Sequence, residues 1–268
     1  MSRSVILLLA LLVAAPAARA GGVNFAWGDC FTTGASIYKH FACDTNVSSP
    51  VAVAVASFQL AYHQPSFVGI EGIVDLLSNS ATMPDWWQLF NPGSCRQTAL
   101  TVSADFRFFP DGPCVDPWGG LALGGIAGYQ TMTTIPADPL YAPNYTRLKV
   151  AFALVDAAPL SADTEYYAFA VRIDGTRTVG AGACGGCDVP VCLGLSEIKA
   201  AENTGPYERL VTPIQNQFIG WQCAQTTPGL VRVGANIWNV PVACAPPGIP
   251  CATPARNRTW GSIKALYR

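Results

Sequence analysis

Cysteine is the residue type with the most chemical potential in this chain, and three of the ten cysteines lie close together. Cys184 and Cys187 form a C-x-x-C pattern with two glycines between them, and Cys192 follows. Redox-active C-x-x-C pairs need a helix N-terminus that lowers the pKa of the thiol, and no βαβ pattern surrounds this one. A zinc site, which Asp188 or a distant thiol would complete, lacks a second C-x-x-C or a histidine pair. The pattern therefore favours structural disulfides.

The even number of cysteines predicts complete pairing in an oxidising compartment. Because connectivity cannot be read from spacing alone, proximity in the sequence gives our expectation. The expected local pairs are Cys30 with Cys43, Cys95 with Cys114, and Cys223 with Cys244 or Cys251. Each would close a loop of modest size, contributing ~3 kcal/mol in the chain-entropy model. With Cys184, Cys187 and Cys192, all ten cysteines are predicted to be disulfide-bonded.

Histidine is scarce, and neither His40 nor His63 lies in a serine-elbow or H-E-x-x-H context. A histidine-based triad is therefore not expected. Paired carboxylates could hydrolyse glycosidic bonds without histidine. The candidate carboxylates are Asp75, Asp85, Asp105 and Glu165. None has a diagnostic context, so we predict no catalytic residue and keep a carbohydrate-active hydrolase as an alternative.

Metal-binding patterns are equally sparse. The carboxylates in predicted loops that suit a cation are Asp111, Asp116 and Asp138. Loops of this kind can bind calcium through carboxylate oxygens, but no D-x-D-x-D-G pattern is present. We therefore expect no metal and no cofactor, with calcium as the alternative.

The adjacent tryptophans Trp86 and Trp87 are the candidate ligand-binding residues. Adjacent residues in a strand face opposite sides, so one indole would be core and the other exposed. An exposed aromatic ring can stack on the face of a sugar. The alternative is that both rings pack in the core.

Alternating apolar and polar residues predict the strands that would position these side chains. The clearest alternating stretches are residues 51–60, 99–109, 148–154, 166–173 and 191–195. We expect the last two to form a hairpin with the cysteines at its joint, since Asp174-Gly175 is a turn signal. Residues 230–240 are predicted as one strand and 242–254 as irregular. Pro84 predicts a single helical turn through the tryptophan pair.

These patterns give roughly nine to twelve short strands and no long amphipathic helix. The absence of a repeated βα pattern argues against a parallel α/β sheet. We predict an all-β fold: an antiparallel β-sandwich, jelly-roll or immunoglobulin-like, stapled by disulfides. Residues 21–268 are expected to form a single domain with an irregular, cysteine-stapled C-terminal segment.

Residues 1–20 have the pattern of a secretory signal peptide. Arg3 supplies positive charge, residues 5–15 are apolar, and Ala18-Arg19-Ala20 is a small-x-small cleavage site. We expect cleavage after Ala20 and a location outside the cytoplasm: extracellular, cell-surface or periplasmic. No later segment is long and apolar enough to span a membrane. The remaining chain carries 17 acids against 14 bases, or −3, which argues against nucleic acid as a partner.

Several distinctive stretches are distributed over most of the chain after residue 20. They are GGVNFAWGDC, FACDTN, MPDWWQ, GSCRQTA, TEYYAFAVRI, GACGGCDVPVC and RNRTWGSIKALYR. Together they resemble an uncharacterised family of proteins exported by environmental bacteria. The resemblance implies a bacterial, exported protein and carries no catalytic residue to this chain. Cys223 and Cys244 lie outside these stretches, so it also implies that they form an added mutual pair.

We therefore expect a secreted, non-catalytic β-sandwich that acts as a binding or surface-associated module. Its expected partner is a polysaccharide or a cell-surface protein. The alternatives are an extracellular hydrolase that uses paired carboxylates and a structural component of the cell envelope.

Overall fold

Thirteen strands and one 3-10 turn make up the computed structural model over the residues it describes, which are 21–31, 35–107, 109, 112–131, 142–233 and 236–246. The strands are β1 (Gly22–Trp27), β2 (Tyr38–Lys39), β3 (Val47–Gln59), β4 (Gln64–Ser78), β5 (Leu100–Ser103), β6 (Leu123–Thr131), β7 (Tyr145–Leu160), β8 (Glu165–Gly175), β9 (Val191–Glu202), β10 (Glu208–Leu210), β11 (Phe218–Trp221), β12 (Gln225–Val233) and β13 (Asn236–Ala245). The 3-10 turn, Asp85–Trp87, begins directly after Pro84, as predicted.

Two sheets form the body of the protein. The smaller sheet has the order β1-β3-β8-β5, and the larger has the order β2-β11-β9-β4-β7-β6, with β10 paired to β9. Neighbouring strands are antiparallel except β2 and β11. The sheets pack face to face around a shared core. In this core the ring centres of Phe58, from the small sheet, and Phe67, from the large sheet, are 6.1 Å apart. The predicted antiparallel β-sandwich is confirmed.

Strand β7 shows how the alternating pattern defines the two faces of the large sheet. Leu148, Val150 and Phe152 point into the core. Lys149 and Ala153, between and beyond them, are exposed on the outer face. Gly72 on the neighbouring strand lets the sheets approach closely, because a Cβ there would lie 2.5 Å from Cε1 of Phe169. Polarity therefore determines which side chains face the core, and residue size determines how closely the two sheets pack.

Strands β8 and β9 do not form the predicted hairpin. β8 lies in the small sheet and β9 in the large one, so residues 176–190 cross between the sheets. This crossover segment is long for a tight hairpin, and both of its cysteines are bonded to distant parts of the chain. The inward faces of the two strands therefore meet the same core from opposite sides.

The disulfides that join two described residues are all non-local, so the expected pairs Cys30–Cys43 and Cys95–Cys114 are wrong. The bridges are Cys30–Cys114, Cys43–Cys187, Cys95–Cys184 and Cys192–Cys244. Pairing by proximity failed because antiparallel sandwiches bring together residues that are far apart in sequence. The implied Cys223–Cys244 pair is also wrong. Cys223 is nevertheless disulfide-bonded; the other expected partner, Cys251, lies outside the described residues.

Strands β12 and β13 form a hairpin where one strand was predicted. The hairpin packs on the outer face of the large sheet, where Trp238 and Val240 join Leu77 and Tyr145 in a second apolar cluster. The Cys192–Cys244 bridge fixes it to β9. Residues 242–245, expected to be irregular, belong to β13, while 247–268 lie outside the described residues. Across the described ranges, the structure has no helix with the length and apolarity needed to span a bilayer.

Candidate functional site

Trp86 and Trp87 are fully buried, so the prediction that one ring is exposed is wrong. Both lie in a helical turn, where adjacent side chains do not alternate as they do in a strand. The ring of Trp86 stacks 5.2 Å from Trp221, and Trp87 meets Trp221 edge to face at 5.4 Å. Trp86 Nε1 also donates a hydrogen bond to Thr178 at 3.2 Å. Neither indole offers a face to a sugar, and the core-packing alternative is confirmed.

A buried arginine completes this tryptophan cluster. The Arg96 guanidinium lies 3.6 Å from the centre of the Trp86 ring and donates to the Trp86 carbonyl at 2.8 Å. It also pairs with the Asp174 carboxylate at 3.2 Å. Burial lowers the pKa of Arg96 to about 10, against the opposing effect of Asp174. These contacts commit the guanidinium to the core, so it is not available to a ligand.

The candidate carboxylates lie on separate elements with separate partners. Asp75 is buried on β4 and is bound by Arg147. Glu165 on β8 accepts hydrogen bonds from Asn24 and Ser57 at 2.8 and 2.6 Å. The remaining two are Asp105, which pairs with Arg107 after β5, and Asp85, which begins the 3-10 turn. Three of the four carboxylates are therefore held in structural contacts.

The metal candidates are only partly described. Asp116 accepts the backbone N–H of Trp118 at 2.9 Å, and Asp111 and Asp138 lie outside the described residues. Within the described ranges, no three histidine, cysteine, aspartate or glutamate residues are grouped so that they could hold a metal ion. His40 lines a small cavity together with Asp188.

A ladder of charges and aromatic rings runs across the outer face of the large sheet. At one end, Arg147 donates to both carboxylate oxygens of Asp75, at 2.7 and 2.9 Å. The guanidinium carbons of Arg147 and Arg209 lie 4.5 and 5.4 Å from the ring centre of Trp238, which the hairpin supplies. Arg209 then pairs with Glu197 at 2.6 Å. The hairpin thus covers carboxylates that are already neutralised by arginine.

The ladder ends at Lys199, beyond the reach of the hairpin. Its ammonium lies 3.3 Å from Glu71, 3.6 Å from Glu197 and 5.2 Å from the ring centre of Tyr207. Burial lowers the pKa of Lys199, but the hydrogen bond to Glu71 and the negative charge of Glu197 outweigh it, so the pKa is raised. Lys199 is a cation that is engaged on three sides.

An open apolar groove of about 480 Å³ begins at Lys199. Its floor consists of small outward residues on three adjacent strands: Gly69 on β4, Ala151 and Ala153 on β7, and Ala201 on β9. A Cβ on Gly69 would collide with the carbonyl oxygen of Phe152, so the floor cannot be raised there. The walls are Leu123 and Tyr207, which are 63% and 54% exposed. The groove is the part of this face that the hairpin leaves uncovered.

Sequence reasoning missed this groove. The alternation on β7 correctly places Ala151 and Ala153 opposite the core residues. What it does not show is that Gly69 lies beside Ala153 and Ala201, because strand register is not visible in the sequence. The available signal was the recurrence of small residues at outward positions of three strands.

Comparison with known proteins assigns no family, since no family model matches the chain and no curated protein matches its sequence.

Glu208 on β10 gives a pH-dependent prediction. Its Oε1 accepts the N–H of Ala61 at 2.7 Å, and burial raises the pKa of this carboxyl despite that hydrogen bond. A raised pKa means that the folded state holds the proton more tightly, so the stabilising contribution is complete below about pH 4.3 and is lost as the pH rises through the folded value. Glu208→Gln should therefore be more stable than the native protein at pH 7.

Urea unfolding at pH 4 and pH 7 measures this difference. The two proteins should converge at pH 4, where Glu208 is largely protonated in both states. Exposed Asp156 on β7 supplies the control, because Asp156→Asn removes the same formal charge without a buried carboxyl. A stability gain equal to that of the control would show that net charge, not burial, is responsible.

Proposed function

We propose that this protein is a secreted, non-catalytic binding module that takes an apolar segment of a cell-surface protein into the outer-face groove. The observation that carries the proposal is the groove itself. Its volume lies in the range of small-ligand sites, about 300–1,000 Å³. Further apolar side chains are exposed in the same strands and loops, since Leu121 and Val155 are 72% and 77% exposed. Contiguous exposed apolar surface is typical of protein interaction sites.

The chemistry of the lining favours an apolar partner over a polysaccharide. A sugar site needs free hydrogen-bonding groups around an open aromatic face. Here Lys199 and Glu71 bind each other, and Lys199 also engages the ring of Tyr207. The floor of glycine and alanine presents no polar side chain. An aliphatic or aromatic side chain from a partner would contribute more binding free energy here than a polar one, roughly 25 cal/mol for each Å² of apolar surface removed from water.

Secretion and the lack of catalysis rest on different observations. Disulfides persist in oxidising compartments, and the N-terminal sequence has a signal-peptide pattern. Asp75 and Glu197, beneath or beside the hairpin on the outer face, are each paired with arginine, and Glu71 at the groove is paired with Lys199. A general acid or base must exchange protons with a substrate, and these groups are committed to ion pairs instead.

The test is a binding experiment with the disulfide-bonded protein, residues 21–268. One arm uses an array of extended peptides with apolar side chains at alternate positions, and the other uses a polysaccharide array. We expect binding to the peptides and a roughly tenfold loss with Ala153→Trp, because an indole on the floor fills the groove. Ala157→Trp, at an exposed position of the same strand, is the matched control and should bind normally.

Each contrary result points to a different function. Binding to polysaccharide alone, lost in Tyr207→Ala, would replace the protein partner with a glycan. Release of sugar products would revive the hydrolase alternative. Absence of binding in both arms, with tight retention on cells, would favour a structural role in the envelope.

A further inference from the structure

We infer that the C-terminal segment of this chain, residues 247–268, occupies the outer-face groove and competes with the partner for it. This inference rests on the proposed function, since it assigns a regulator to the same site. It follows from the position at which the described chain ends, from the length of the remaining sequence, and from the charges of the two parts.

Charge complementarity is the first argument. Residues 21–246 contain 10 bases and 17 acids, a net charge of −7, whereas residues 247–268 contain four bases and no acid, a net charge of +4. At the groove itself, the Glu71 side chain is 68% exposed at the end of the floor, beside Lys199. A basic segment would therefore be attracted to the acidic body of the protein, with Glu71 as the carboxylate at the groove.

Reach is the second argument. Strand β13 ends beside Cys192, because Ala245 pairs with Gln225, whose carbonyl contacts the Cys192 sulfur. From Cys192 to the floor residue Ala201 is nine positions along β9, or about 30 Å at the usual rise of a strand. The 22 residues after Pro246 could extend over roughly 70 Å. Trp260 and the residues after it can therefore reach the groove even if Cys251 is bonded near the starting point.

Apolar complementarity is the third argument. Trp260, Ile263 and Leu266 recur at intervals of three, with Arg258 and Lys264 between or beside them. Such a segment presents large apolar side chains to a floor of small ones, and its cations can contact the exposed carboxylate of Glu71. The groove lacks an occupant among the described residues, and this segment supplies the side chains that it lacks.

The experiment compares the disulfide-bonded protein, residues 21–268, with the double variant Trp260→Ser/Leu266→Ser and with Ala265→Ser as the matched control. Amide hydrogen exchange is measured at residues 121–126 and 151–153, with β1 and β3 as internal references. We expect the double variant to exchange roughly fivefold faster at these groove residues and to bind the apolar peptides roughly fivefold more tightly, as for a groove that is free only about a fifth of the time. A zero-length carbodiimide cross-link between Lys264 and Glu71 should form in the native protein and disappear in the double variant.

The outcomes separate this inference from the proposed function. Faster exchange without peptide binding in either protein would support the docked segment and reject the proposed function. Peptide binding that is identical in all three proteins, with unchanged exchange, would reject the docked segment and leave the function in place. Cross-links between chains rather than within one would overturn the inference, since the occupant would then be a second copy.

Discussion

Replacing Cys95 and Cys184 together with serine should lower the free energy of unfolding by about 4 to 5 kcal/mol. The bridge joins residues 89 positions apart, so its loss returns a large loop-closure entropy to the unfolded chain. It also fixes the crossover segment to the region before β5, where Arg177 donates to the Cys95 carbonyl at 2.9 Å. Most domains are stable by only about 5 to 15 kcal/mol, so the variant should be close to unfolding. Urea denaturation at pH 7 measures the loss directly.

A second bridge supplies the comparison. Cys192 and Cys244 are separated by 52 positions and join the hairpin to the outer face of the large sheet. Removing this pair should expose β12 and β13 to proteolysis before the body of the sandwich unfolds, whereas removing Cys95–Cys184 should unfold the sandwich as a whole. A loss under about 1 kcal/mol for Cys95→Ser/Cys184→Ser would mean that the crossover segment is held by its other contacts.

Asp75→Leu should cost about 3 to 5 kcal/mol, because it leaves the Arg147 guanidinium buried without its counter-charge. Asp75 is fully buried and accepts two hydrogen bonds from Arg147 and a third from the Ser196 hydroxyl group. The Trp238 ring closes over the arginine from the hairpin side, so water cannot replace the lost carboxylate. Denaturant titration gives the size of the loss.

A double variant shows whether this stability is lost because the ion pair is absent or because Arg147 is left buried without a partner. Asp75→Leu/Arg147→Met removes both charges and should recover most of the stability, since buried ion pairs can be replaced by apolar residues at little cost. The more exposed pair Asp105–Arg107 is the control, and Asp105→Leu there should matter far less. Equal losses in the single and double variants at Asp75 would show that shape rather than charge determines the effect.

Local patterns predicted the elements well, because period-two alternation depends only on neighbouring residues. The alternation of β7 placed Leu148 and Phe152 in the core, and Pro84 marked the start of the helical turn. The same logic failed for Trp86 and Trp87, since a strand rule was applied to residues in that turn. It also predicted β12 and β13 as one strand, because a hairpin and a long strand share the same alternation.

Pairing between distant elements could not be predicted. The Cys95–Cys184 bridge depends on the path of the crossover segment between the sheets. No residue in that segment indicates which sheet the next strand, β9, will join. The groove depends on the register that sets Gly69 beside Ala153 and on where the hairpin stops. Both are properties of the assembled sandwich, in which packing and not local preference decides the partners.

The interleaved order of the bridges has a consequence for biogenesis. A chain that enters an oxidising compartment N-terminus first presents Cys30 and then Cys43, whose native partners, Cys114 and Cys187, arrive much later. If these first two thiols pair with each other, the native set is reached through thiol–disulfide exchange and mixed intermediates. Such reshuffling takes seconds to hours, depending on the oxidant and on the isomerase present. Yield of the correctly bridged protein thus depends on the isomerase capacity of the host as well as on its ability to oxidise thiols.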